Sequence, residues 1–404
     1  MLTQATLPNW DELLQTARSQ TPVRRIRRPG QSPSTAPIPS SIDKLPPNTK
    51  PLVLLYRDTN SWCPFCERVW FALEEKQIPF DTEFIDLSNK PKWYTDLVPT
   101  ALVPAAKIEG QLVYESKDIL LALEERFPDP PLLPTDPEEN AVARRWIEES
   151  ETSGFFTVSY QFLRAATANT EESAQLQANL EAHLDRLEQL LTQYPDDYFL
   201  STFSLVDIVY SPHLDRLAAN APAYRGYEIR GNSRFPRLNA WFRAIEQRPA
   251  YHRVKSDPIT NNLLLKRRWG LDPIANLKPL EPIEHIASSD RAEAAERLSD
   301  NHEAAIRDVW RNSGVQQFAA CETTILEAID LHLRLLADYL LYGDRRLLPW
   351  GRVGGQDQAD PQIAAIGAVT LAYLRNRICA PRDMSAGAAT AFRAAIDRVL
   401  TQLY

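Results

Sequence analysis

The feature that most constrains this 404-residue chain is a pair of cysteines three positions apart, just after a short apolar run. Leu52-Val53-Leu54-Leu55-Tyr56 has the length and composition of a buried β-strand. Trp62-Cys63-Pro64-Phe65-Cys66 follows it, and residues 64–77 carry helical periodicity, with Val69, Phe71, Leu73 and Ile78 marking the apolar side. Pro64 suits the first helical position, where a missing N–H costs nothing. Cys63 is therefore expected at the N-cap, beside free backbone N–H groups and the positive end of the helix dipole. That setting favours thiolate over thiol, and the thiolate is the species that attacks disulfides and forms covalent intermediates. Cys66, in the first turn, reads equally as a resolving thiol or as a more buried spectator. No second C-x-x-C and no clustered His pair supplies the ligands of a zinc site, so no metal is expected.

The next hundred residues complete a small α/β unit. Residues 80–86 alternate as a second strand, residues 104–108 and 111–114 form two short strands split by Glu109-Gly110, and residues 116–126 read as a helix. A βαβ crossover, an irregular stretch containing a short helix, then ββα makes a small mixed sheet. That is the order of the thioredoxin fold, and the C-x-x-C after the first strand selects it over other α/β units. Val103-Pro104 precedes a strand, where a cis proline would turn the Val103 backbone toward a bound extended peptide. Glu115-Ser116 opens the following helix, whose N-terminus is a ready site for a carboxylate, while the Glu can pair with an ammonium.

From Pro134 onward strand signals nearly vanish. Helical segments run about 136–168, 171–194, 204–219 and 235–248, then, after a proline-containing stretch over 256–288 read as a linker, 290–312, 315–342, 361–379 and 384–403, with Pro349 and Gly351–Gln358 interrupting them. Phe203-Ser204-Leu205-Val206-Asp207-Ile208 carries a capping box and a hydrophobic staple. The expected domains are an N-terminal arm and linker (1–50), a thioredoxin-like domain (51–130), an all-helical domain (131–255) and a helical C-terminal extension (256–404). Within the arm, residues 9–19, with Trp10, Leu13 and Leu14, suit one short amphipathic helix. Residues 17–41 lack acids and are rich in Arg, Ser and Pro, which reads as a surface arm or, alternatively, an organelle transit segment. A formal net charge of −8 argues against a nucleic-acid binder, and no apolar run of about 18 residues suggests a membrane span. Four cysteines in so long a chain fit a reducing compartment, with Cys321 and Cys379 expected as buried small hydrophobes.

Four runs resemble the cysteine-type glutathione S-transferases, the omega class above all: Cys63-Pro64-Phe65, Asn89-Lys90-Pro91-Lys92-Trp93, Leu102-Val103-Pro104 and Tyr114-Glu115-Ser116. The resemblance covers about residues 50–250. It implies a thioredoxin-like glutathione-binding domain followed by the all-α transferase domain, with glutathione as co-substrate. Carried over by position, Cys63 would approach the glutathione sulfur and Phe65 would lie beside the cysteinyl part. Lys90 would contact the glycyl carboxylate, Val103, followed by Pro104, would pair backbone to backbone with the cysteinyl unit, and Glu115 and Ser116 would hold the γ-glutamyl end. Cys66 and the long C-terminal extension depart from the omega pattern and resemble the iota class of cyanobacteria and photosynthetic eukaryotes. The helical domain should wall a second, acceptor pocket, for which Trp146, Phe155, Phe156 and Tyr160 are candidates, with Phe162 nearby; His183, His213, His302 and His332 look isolated. The activity so implied is glutathione-dependent thiol transfer to a small-molecule or protein mixed disulfide, extending to dehydroascorbate reduction. The alternative is a glutathione-anchored binding protein for apolar or aromatic ligands with little turnover, and conjugation to electrophiles ranks third. No nucleic-acid or membrane partner is expected, the oligomeric state stays open, and the expected location is the cytoplasm, or a plastid if the basic segment is a transit peptide.

Overall fold

The computed structural model describes residues 7–20, 51–165, 171–274, 280–318, 321–343 and 360–403. The chain divides into two compact units, one of residues 24–277 and one combining residues 1–23 with 278–404. The first helix, α1 (Trp10–Gln20), thus belongs with the C-terminal residues, whereas the sequence placed it in an N-terminal arm. The basic stretch Arg24–Arg28 and the interruption at Pro349 and Gly351–Gln358 lie outside the described residues.

In the unit of residues 24–277, β1 (Val53–Asp58), α2 (Pro64–Glu75) and β2 (Phe80–Ile85) form a parallel crossover. After the short helix α3 (Lys92–Leu97), β3 (Ala105–Ile108) and β4 (Gln111–Tyr114) make an antiparallel hairpin, and α4 (Ser116–Arg126) follows. The strand order is β2-β1-β3-β4, with β1 and β3 antiparallel. This is the thioredoxin-like arrangement expected from the sequence. Val53 and Leu55 share one face of β1 and bury against Val69, Phe71 and Leu73 of α2, so the strand's two-residue period and the helix's apolar stripe meet in one core. The hairpin turn uses Glu109 and Gly110, both at positive φ.

The helices α5 (Pro137–Thr152), α6 (Phe155–Arg164), α7 (Glu171–Leu191), α8 (Leu205–Arg225), α9 (Pro236–Ile245) and α10 (Pro249–Val254) continue that core. The single segment read over 136–168 breaks at Gly154, which takes the left-handed conformation. The capping box at α8 is present: Asp207 accepts the Ser204 backbone N–H at 2.8 Å, Ser204 Oγ caps the helix, and Asp207 also accepts the Trp241 indole N–H at 2.9 Å. Burial pushes the Asp207 carboxyl up to about 6 against these hydrogen bonds. One difference from the sequence reading concerns residues 256–288. α11 (Pro258–Trp269) lies in this unit, not in a linker: Pro258 occupies the first turn, Asp257 caps it by accepting the Thr260 N–H at 3.0 Å, and Gly270 closes it. Asn262 of α11 donates to Ala219 O and Asn220 Oδ1 of α8, both at 2.9 Å.

In the other unit, α1 packs with α12 (Ser288–Asp300), α13 (His302–Asn312), α14 (Glu322–Tyr342), α15 (Pro361–Arg377) and α16 (Ala386–Leu403) around an alanine-rich core. Leu13 and Ala17 are buried there, and the Trp10 indole stacks on His302 and donates to Asp330 at 2.7 Å. Small residues permit close approach. A Cβ at Gly367 of α15 would stand 2.1 Å from the His332 ring of α14. Cys379 is buried in the turn after α15, as a small hydrophobe should be. Cys321 is not. It stands exposed at the N-cap of α14, where the proximity of the Thr324 backbone draws its thiol below the ordinary range.

Candidate active site

The loop between β1 and α2 is held from several sides. Asp58 accepts the backbone N–H groups of Asn60 at 3.2 Å and Trp62 at 2.7 Å, and Arg57 donates to Ser61 Oγ at 3.1 Å. From α8, Arg216 donates to Trp62 O at 3.0 Å and Ser61 O at 3.1 Å. Ser61 takes φ 55°, a conformation non-glycine residues adopt rarely, within this clamp. The loop delivers Cys63 to the N-cap of α2, where its Sγ accepts the Cys66 N–H at 3.4 Å and its thiol donates to Val103 O at 3.7 Å. The Val103-Pro104 peptide is cis. Cys66 is buried, and burial, reinforced by its hydrogen bond and charge interaction with Cys63, holds its thiol well above the ordinary range.

Two buried guanidiniums, those of Arg68 and Arg216, lie within electrostatic reach of Cys63. Arg68 donates to Val209 O at 2.9 Å, pairs with Glu151 and reaches Ser116 Oγ at 3.4 Å. Arg216 pairs with Glu67 at 2.8 Å. Burial raises the Glu67 carboxyl to about 7, with Arg216 pulling the other way. The sequence reading passed over both arginines. Arg68 lies on the helix the cysteine opens, but nothing local marks Arg216, 153 positions beyond Cys63, as the side chain that reaches back to it.

The acceptor-pocket candidates divide. Phe155 and Trp146 are buried in the main core. Consecutive residues on α6 point about 100° apart, so Phe155 turns inward, while Phe156 meets Phe65 edge-on with ring centroids 5.7 Å apart. Phe156 also stacks on His213 of α8, which lies 5.4 Å from Phe65 and 6.4 Å from Tyr160. Tyr160 meets Trp269 at 5.6 Å, and Trp269 and Trp62 both pack against Tyr224 and Leu265. Trp62, His213 and Trp269 thus join Phe156 and Tyr160. The first signal for Trp269, the Asp257-Pro258 helix start, was legible in the sequence.

On the sheet side, the Lys90 ammonium donates to Ala101 O at 2.8 Å. Tyr94, a further residue the sequence reading omitted, donates to Leu102 O at 2.5 Å and so fixes the entry to Val103-Pro104. Burial raises the Tyr94 phenol. Glu115, exposed at the N-cap of α4, takes φ 68° and ψ 127°. Strain of this kind persists where its surroundings over-determine it, and it concentrates at binding sites. Ser116 is buried at the first position of α4.

Comparison with known proteins gives a consistent result. The family model for the glutathione S-transferase N-terminal domain matches residues 62–126, and that for the C-terminal domain matches residues 164–244. Protein IN2-1 homolog A of Oryza sativa subsp. japonica is 33% identical over 202 residues, covering 49% of this chain and 79% of that one. Glutathione S-transferase omega-1 of Sus scrofa is 31% identical over 216 residues, covering 53% and 85%. Among solved structures, glutathione transferase Omega 3C from Trametes versicolor is 29% identical, covers 52% of this chain and 91% of that one, and has a TM-score of 0.46. Neither family model extends into residues 280–403. Among the described residues, no cluster of His, Cys, Asp and Glu could hold a metal ion, and no helix is long and apolar enough to cross a membrane.

Proposed function

The chain belongs to the glutathione S-transferase family, and from that premise we propose that it is a glutathione-dependent thioltransferase with Cys63 as nucleophile. The observation that carries this is a cysteine at a helix N-cap, its thiol on the Val103 carbonyl, with the buried Arg68 and Arg216 guanidiniums within electrostatic reach. The Cys63 thiolate attacks the glutathione sulfur of a mixed disulfide, forming Cys63–S–S–G and expelling the acceptor thiolate, which takes a proton from solvent. Glutathione thiolate then attacks the glutathione sulfur of that adduct, releasing oxidised glutathione and regenerating the Cys63 thiolate. Steady-state turnover of a small glutathione mixed disulfide tests the reading. Binding without turnover would favour the alternative, a glutathione-anchored binder of aromatic ligands, which the grouping of Trp62, Tyr160 and Trp269 supports. Dehydroascorbate is the second acceptor to assay.

Cys66 is the spectator in this scheme, because a buried thiol with a raised pKa is a poor attacking group. Cys66→Ser therefore keeps at least about half of the wild-type kcat. A collapse of turnover, together with a Cys63–Cys66 disulfide in the oxidised wild type by mass spectrometry, would instead establish a dithiol route.

Glutathione is held at its two ends, by Lys90 at the glycyl carboxylate and by Glu115 and Ser116 at the γ-glutamyl end, with the Val103 backbone pairing the middle. Charge-assisted hydrogen bonds contribute about 1.5–3 kcal/mol each. Lys90→Ala and Ser116→Ala accordingly raise the KM for glutathione by roughly tenfold or more, with smaller effects on kcat, because binding common to ground and transition states cancels from the chemical step. Kinetics with glutathione varied at saturating disulfide check this; an unchanged KM in both variants would refute the placement.

A further inference from the structure

Beside Phe65, two buried polar side chains have hydrogen-bonding capacity that no described residue meets. Both ring nitrogens of His213 and Nη2 of Arg68 are buried and have no partner among the described residues. His213 is 5% exposed and Arg68 0%. Native interiors rarely leave such atoms unpaired, and those they do leave call for an explanation. The two groups border the same pair of rings. His213 stacks on Phe156 and lies 5.4 Å from Phe65, while the Arg68 guanidinium carbon stands 4.8 Å from the Phe65 ring and 4.9 Å from the Phe156 ring. Arg68 is fixed by its other nitrogens, on Val209 O, Glu151 and Ser116, so Nη2 is a donor held in place and left over. Burial, with Arg68 and Arg216 adding to it, keeps the His213 imidazole well below its ordinary pKa and therefore neutral, able to donate from one ring nitrogen. Glu151 and Glu67 already balance the two arginines. The niche therefore offers hydrogen-bond donors more than net positive charge.

We propose that His213 and Arg68 form a polar recognition subsite for the acceptor, taking a carbonyl or carboxylate oxygen of its non-glutathione part, with Phe156 as the ring that covers the subsite until the acceptor arrives. The proposal rests on the thiol-transfer reading of Cys63, since Phe65 ties the niche to that cysteine. His213 is a specificity-determining residue here: it acts on which acceptor is used, not on the sulfur chemistry.

The test compares two mixed disulfides of glutathione, one with 3-mercaptopropionate, which carries a carboxylate, and one with ethanethiol, which carries no oxygen. In His213→Phe, which keeps the ring stacking, the ratio of kcat/KM for the first acceptor to that for the second falls by about tenfold. His213→Gln, which retains a donor, restores most of the ratio; a purely structural role would not give that rescue. A ratio within about twofold of wild type in His213→Phe would overturn the proposal, as would a loss that appears only in the KM for glutathione. If the thiol-transfer reading itself fails, the wild type turns over neither disulfide. Calorimetry then decides. The 3-mercaptopropionate disulfide binds Cys63→Ser protein about tenfold more tightly than the Cys63→Ser, His213→Phe double variant if the subsite exists, and equally if it does not.

Discussion

Replacing Cys63 with serine lowers turnover of a glutathione mixed disulfide by roughly a thousandfold or more and leaves the fold intact. The loss is large because the attacking species is a thiolate, and a hydroxyl offers no comparable nucleophile near neutral pH. The fold is spared because the structural duties of Cys63 are light. Its Sγ accepts one backbone N–H, from Cys66, and caps α2, and serine is among the best N-cap residues. Steady-state kinetics and thermal unfolding of the same preparation check the two halves together. A residual rate above a few per cent of wild type in folded protein would end the assignment of Cys63, whatever else binds glutathione.

The second large effect is expected at Arg216. Methionine there removes the donors to Ser61 O and Trp62 O and strands Glu67, which is 5% exposed, without its partner. Breaking a buried ion pair from one side costs about 3–5 kcal/mol. The loss depends on pH with a definite sign. Burial already lifts Glu67 to about 7, above its value in an unfolded chain, so the folded state holds the proton more tightly and stability falls as pH rises from the unfolded value through the folded one. Without Arg216 to pull the other way, the folded value climbs and the window extends upward. Arg216→Met is therefore nearer wild type in stability at pH 5 than at pH 8, and Glu67→Gln in the same background recovers much of the deficit at pH 8. Denaturant unfolding at the two pH values measures it, and a penalty below about 1 kcal/mol at pH 8 would show that the pair contributes little. Because Arg216 also steadies the loop that presents Cys63, kcat/KM should drop by about tenfold even where the variant is folded.

What could be read from the sequence was whatever is specified locally. The apolar run of residues 52–56, the proline after Cys63, the Glu109-Gly110 turn and the Ser204…Asp207 cap each act over a few residues, and each appears in the structure where the chain places it. Harder to read were outcomes set by partners far along the chain. Phe155 and Phe156 are indistinguishable in composition, and only the neighbours of α6 decide that one ring enters the core while the other meets His213. His213 looked isolated because its surroundings come from α2 and α6. The error over 256–288 was of another kind. Its prolines read as breakers, although Asp257-Pro258 followed by Gly270 is the ordinary punctuation of a helix, the one that carries Trp269. Cys321 was misplaced because helical periodicity does not distinguish a residue within a helix from the one that precedes it.

The pairing of α1 with the C-terminal helices has a consequence for synthesis. α1 emerges early from the ribosome, but α12, against which Leu13 and Ala17 are buried, begins only at Ser288. At about 5–20 residues per second, α1 waits on the order of ten to fifty seconds for its partner while the whole transferase unit is made in between. A nascent helix carrying Trp10, Leu13 and Leu14 with nothing to cover them is the kind of segment that chaperones hold. The unit that needs α12 to α16 before it can close thus owns a helix made ahead of the whole transferase unit.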